Sequence, residues 1–127
     1  MPNPSIVNAT AVGKEVIRRS YIDGLAETEG TILTGVANHV MTIVTIMICE
    51  WAGLSDALFE MYVDYDLGGA DLALCDNQPV PLSGTYIWSD KFAITATDKL
   101  HIIGKSAAGT AAFDVWCTYI DQQFAAP

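Results

Sequence analysis

Positive charge is what this sequence has least of. Only 6 of its 127 residues are Lys or Arg, against 15 Asp or Glu, giving a formal net charge of −9. Nucleic-acid affinity comes mainly from Lys and Arg displacing counterions from phosphates, so this balance argues against a nucleic-acid partner. It argues equally against docking on an anionic membrane surface. No charged start leads into an apolar segment, since the opening MPNPSIVNATAVGKE is polar and broken by prolines. The most apolar run, residues 40–49 (VMTIVTIMIC), carries two threonines and has about half the length of a membrane-spanning helix. It reads as a buried strand. The 3 cysteines, Cys49, Cys75 and Cys117, are odd in number and widely spaced. They do not suggest a disulfide framework, fit synthesis in a reducing compartment, and are expected to act as small buried hydrophobes.

The chain is equally thin in recognisable catalytic grammar. His39 and His101 are the only histidines, and neither has a second metal ligand at His-x-His or His-Glu-x-x-His spacing. There is no Gly-x-Ser-x-Gly elbow and no glycine-rich phosphate loop. Asp64, Asp66 and Asp71, around Gly68 and Gly69, could offer oxygens to a hard cation such as calcium. Their spacing does not match an EF-hand, however, and acids at a hairpin tip are ordinarily just solvated. The reading is of a protein without cofactor or metal, and not an enzyme.

What the chain has is apolar matter. Hydrophobic residues make up 51% and charged residues 17%, whereas an ordinary soluble domain is about 25% charged. The length suits one domain. Residues 1–13 read as an extended arm without period, and residues 14–127 as a single domain whose apolar surplus is expected to be buried against other subunits.

The pattern beyond the arm is that of strands. KEVIRRSYID puts Val16, Arg18, Ser20 and Ile22 on one face and Ile17, Arg19 and Tyr21 on the other, a weak edge strand. Residues 40–51 alternate between two faces that are both apolar, which predicts a central strand or one with its second face in an interface. Phe59, Met61, Val63 and Tyr65 alternate with Leu58, Glu60, Tyr62 and Asp64. After Gly68 and Gly69, DLAL begins the return strand of a hairpin. The prolines of NQPVP bar that segment from the centre of a sheet. With further strands over 84–88, 92–95, 99–104 and 111–121, the prediction is all-β. The architecture expected is an antiparallel β-sandwich, jelly-roll-like, of about eight strands.

The aromatic residues carry the functional reading. In AAFDVWCTYID, Phe113, Val115, Cys117 and Tyr119 share one face; Asp114, Trp116, Thr118 and Ile120 share the other. If the first set fills the core, Trp116 and Ile120 stand outside, as residues that contact another chain do. In the opposite register Trp116 is itself core. Trp51, Tyr86 and Trp88, near strand ends, suit either a sandwich rim or stacking on sugars.

The stretch 81–121 resembles the C-terminal half of small virion proteins from tailed bacteriophages. The likeness runs through Pro81 and Leu82, then Thr95, Asp98 and Leu100, a small-residue turn over 106–109, and the closing Tyr119, Ile120 and Asp121. The earlier run ending in Ile48, Cys49 and Glu50 occupies the place of the family's long central strand. The resemblance implies a β-sandwich or jelly-roll module, commonly trimeric, that decorates or cements the head or builds fibres. On that reading the chain is a capsid decoration (cement) protein of the virion, made in the host cytoplasm. Its partners would be itself, as a homotrimer, and the major capsid protein. Trp116 and Ile120 are the expected subunit contacts, and Arg18 and Arg19, beside the arm, the expected salt-bridge donors to an acidic capsid surface. The alternative is a tail or head fibre, a receptor-binding module recognising host-surface glycans.

Overall fold

The computed structural model describes residues 15–53, 57–65, 69–82, 84–106 and 111–124. The expected arm over 1–13 and Asp66 lie outside these residues. The described elements are nine strands: β1 (Glu15–Leu25), β2 (Glu29–Thr34), β3 (His39–Glu50), β4 (Leu58–Tyr65), β5 (Ala70–Pro79), β6 (Thr85–Trp88), β7 (Phe92–Ile94), β8 (Lys99–Lys105) and β9 (Phe113–Gln123).

One sheet runs β1-β9-β3-β6, with β7 also paired to β3; the other runs β2-β8-β4-β5. Every pairing is antiparallel. Successive strands mostly change sheets, which is the jelly-roll path. The two shortest strands, β6 and β7, pair with different halves of β3, at Ile46–Cys49 and at Met41–Ile43 respectively. They share one strand's place, so nine strands fill eight jelly-roll positions, four in each layer.

The edges fall where composition puts them. β1 is an edge strand carrying Arg18 and Arg19, with a register shift between Ile22 and Leu25 and Gly24 at φ 73°. Charge and a bulge both blunt an edge against stray pairing. β5, which ends on Pro79, is the edge of the second sheet.

Between the layers lies one apolar core. Ile43, Ile46 and Ile48 from β3 meet Phe59 and Met61 from β4, Leu100 and Ile102 from β8, and Phe113 and Cys117 from β9, all fully buried. Each large side chain so buried contributes roughly 1.5–3 kcal/mol. The sheets approach closely at Gly104, where a Cβ would sit 2.4 Å from the Phe113 ring.

β3 departs from its expected alternation. The ladder with β9 pairs Ile43 with Tyr119 but Thr45 with Thr118, leaving Val44 as an extra residue. The phase flips there. Met41 and Ile43 face the core before the bulge, and Ile46 and Ile48 face it after. That is why residues 40–51 read as apolar on both faces: the core draws on each notional face in turn. β3 is also central, as its composition predicted.

Candidate functional site

The register of β9 is the one that buries Phe113, Val115, Cys117 and Tyr119 and turns Trp116 outward. Pairing then lays the outer face of the first sheet out in rows. Ile17 stands opposite Ile120, and Ile120 opposite Thr42. In the next row Arg19 faces Thr118, which faces Thr45. A third row runs Tyr21, Trp116, Met47, Ile87 across all four strand positions. These four side chains keep 59%, 37%, 39% and 58% of their surface in contact with solvent. The four make one continuous exposed apolar row rather than scattered exposure.

The row is held rigid. The rings of Tyr21 and Trp116 stack with centroids 5.9 Å apart at 19°. The Arg19 guanidinium carbon lies 5.0 Å from the Trp116 ring centroid and 5.5 Å from that of Tyr21, a cation–π arrangement. Beside this ridge opens a groove of about 390 Å³, floored by Met47, Cys49 and Trp116 and edged by Asp23 and Asp114. Asp114 Oδ1 accepts a hydrogen bond from the Gly24 backbone N–H at 2.9 Å, which fixes the bulge of β1.

Arg18 and Arg19 point to opposite faces, as neighbours in a strand do. Arg18 turns to the rim of the core and donates Nε–H to Asp121 Oδ2 at 2.9 Å. The other oxygen of that buried carboxylate bonds His39 Nδ1 at 2.6 Å. One acid thus ties β1, β3 and β9 together.

The second sheet's outer face differs in kind. His101, buried between Leu100 and Ile102, bonds Thr31 Oγ1 through Nδ1 at 3.1 Å and packs beside the Tyr62 ring. Nδ1 also lies 3.4 Å from Glu29 Oε1, so the ring is held by polar neighbours on β2. Burial, together with a hydrogen bond to Glu29, pushes the Tyr62 hydroxyl up to about 12. Asp64 and Asp71 stand opposite each other across the β4–β5 ladder. Among the described residues no group of three or more His, Cys, Asp or Glu could hold a metal. This face also carries Glu60, ion-paired with Lys105. It is polar where the first sheet's outer face is apolar.

The strand-end aromatics divide. Tyr86 packs edge-on against Phe59, and Trp88 against Phe92 with its indole N–H donated to the Asp90 carbonyl at 2.7 Å. Only Trp51 of the three is widely exposed, at 59%. Sequence reading singled out Trp116, Ile120 and Arg19 on the apolar face but passed over Tyr21, Met47 and Ile87. Tyr21 was legible from alternation in β1, whereas Met47 was hidden by the bulge at Val44.

No family model matches the sequence, and no curated protein matches it. Solved structures do match the fold. A chain in the structure of infectious bursal disease virus, Gx strain, aligns with a TM-score of 0.52 at 8% identity, over 89% of this chain and 30% of that one. A chain in the crystal structure of the T13 IBDV viral particle aligns with a TM-score of 0.51 at 8% identity, over 87% and 36% respectively. A pentameric capsid protein from metagenomic phage sequences aligns more weakly, with a TM-score of 0.38 at 18% identity over 82% and 62%. The present chain spans about a third of the length of the first two. What it shares with them is the β-sandwich fold.

Proposed function

We propose that this protein is a non-catalytic structural component of a virion, a capsid decoration or cement protein that acts as a homotrimer on the assembled head. The observation that carries the reading is the apolar row Tyr21–Trp116–Met47–Ile87 on the outside of a jelly-roll sandwich. A jelly roll is a common building block of viral capsids, and its likeness to chains from viral particles supports the same role. An acidic chain with one apolar sheet face is suited to meeting copies of itself there while its polar face stays in water.

In this reading Trp116, Ile120 and Arg19 form the subunit contact. Arg18 braces the edge strand that carries Arg19, and the part of its guanidinium left exposed faces the major capsid protein. The mechanism is mass action: a ligand that binds only the assembled lattice stabilises that lattice by its binding free energy. The test is to incubate purified protein with empty phage heads. Attachment together with raised heat resistance of the shells is the expected result; neither attachment nor protection would overturn it. Copy number in purified particles provides a second check, hundreds per head for decoration against a few dozen at most for a neck, tail or fibre.

A further inference from the structure

We infer that the ridge of Arg19, Tyr21 and Trp116 on one copy seats in the Asp23–Asp114 groove of the next, so that the subunit contact is set by charge as well as by apolar area. The inference deepens the self-association reading and rests on it.

The first argument is charge. With a net charge of −9, two copies repel unless opposite charges are placed to meet. Arg19 is the only cation that β1, β9, β3 and β6 place on the outer face of the first sheet. Among the described residues it has ring contacts but no carboxylate within ion-pair distance. The other described cations with ion pairs are already engaged: Arg18 with Asp121, and Lys105 with Glu60. Beyond the Trp116 ring that Arg19 covers stand two exposed carboxylates, Asp23 and Asp114, neither of which has an ion-pair partner among the described residues. The face therefore holds an unmatched positive ridge and an unmatched negative groove side by side. A second copy supplies the complement to both.

The second argument is shape and area. A stacked Tyr–Trp pair capped by a planar guanidinium is a rigid knob, and rigid aromatic and Arg anchors dominate binding energy at interfaces. The groove beside it, about 390 Å³ with a floor of Met47 and Trp116, is large enough for one such head group. Strands of 11, 11 and 12 residues, with the 4 and 3 of β6 and β7 in the fourth position, give a face on the order of 650 Å² at about 3.3 Å per residue and about 4.8 Å between strands. That approaches the roughly 800 Å² per partner of a standard stable interface.

The test uses the full chain in analytical ultracentrifugation, with circular dichroism and thermal melting as folding controls. Wild-type protein is expected to self-associate, and R19E and D23K are each expected to weaken association at least about tenfold. The double variant R19E/D23K, which exchanges the signs across the contact, is expected to recover most of the loss. W116A, which removes the knob without changing charge, should weaken association with little added salt dependence. Wild-type monomer at about 100 µM overturns the inference, as does R19E associating as tightly as wild type, or a double variant no better than either single one. A monomer that still coats empty heads overturns this contact and leaves the cement role standing.

Discussion

Arg18 and Asp121 are 103 residues apart in sequence and 2.9 Å apart in the fold, joined Nε to Oδ2 at the rim of the core. The pair is asymmetric, with the arginine side chain 46% exposed and the aspartate 7%. The two halves should therefore fail differently when cut. Asp121→Ala takes the acceptor from both Arg18 and His39 and unties three strands, and is expected to cost roughly 2–3 kcal/mol. Arg18→Ala, which removes a half-solvated cation, should cost about 1 kcal/mol or less. Urea unfolding of the two variants measures the difference, and equal losses would contradict the asymmetry.

Ile43 and Ile46 cannot share a face in a strictly alternating strand, yet both are fully buried because Val44 is bulged between them. Truncation to Ala should cost about 2–5 kcal/mol at each position. Thr45→Ala, on the outer face between them, should cost less than about 1 kcal/mol. Were only one of the two isoleucines sensitive, the bulge would be misplaced.

Gly35 sits where a Cβ would come within 1.8 Å of the Thr95 carbonyl oxygen. Backbone cannot swing aside as a side chain can, so Gly35→Ala is expected to lower stability by at least about 2 kcal/mol. Gly104→Ala meets a ring, that of Phe113. It should cost about 1–3 kcal/mol, the lesser loss of the two, by thermal or chemical denaturation.

Alkali should unfold the protein through protons held in the folded state, those of Cys117 and Tyr62 foremost. Burial pushes the Cys117 thiol from 9.0 up to about 12, and burial with the Glu29 hydrogen bond takes Tyr62 from 10.0 up to about 12. Above pH 9 the unfolded chain releases the thiol proton while the folded chain keeps it, and above pH 10 the same holds for the phenol. Stability is then whole below pH 9 and falls as pH rises from 9 towards 12. Melting temperature should be flat from pH 7 to 9 and drop beyond it. Cys117→Ala, though less stable throughout, should show a shallower fall above pH 9, the remainder there coming from Cys75, whose thiol burial also raises.

The surface contact carries its own expectation beyond association. Tyr21→Ala removes the ring stacked on Trp116 and frees Arg19 from one of its two rings, on an exposed edge strand. Its melting temperature is expected to change little, since surface substitutions usually stay within about 0.5 kcal/mol. Protection of empty heads should fall clearly. Loss of stability without loss of protection would make the ridge a structural feature only.

Alternation within a single segment was enough to sort β9 and β4 each into two sets, because side chains in a strand alternate whatever the strand pairs with; which set of β9 faces the core was decided by the fold. Prolines and charge placed β5 and β1 at edges for a similarly local reason, the missing ladder donor and the cost of burying charge. A small basic complement, an apolar surplus and turn signals at short intervals together reached the all-β sandwich without any tertiary information. What folding alone decided was which strand lies beside which, and the consequences are concrete. Val44 becomes an extra residue only when Ile43 and Thr45 meet consecutive residues of β9. β6 and β7 become one strand's worth of edge only when both find β3. Tyr21, Trp116, Met47 and Ile87 come from four segments spread over 96 positions of chain and form a row solely through cross-strand register. Periodicity belongs to one segment; register belongs to pairs of segments, and no single stretch of chain contains it.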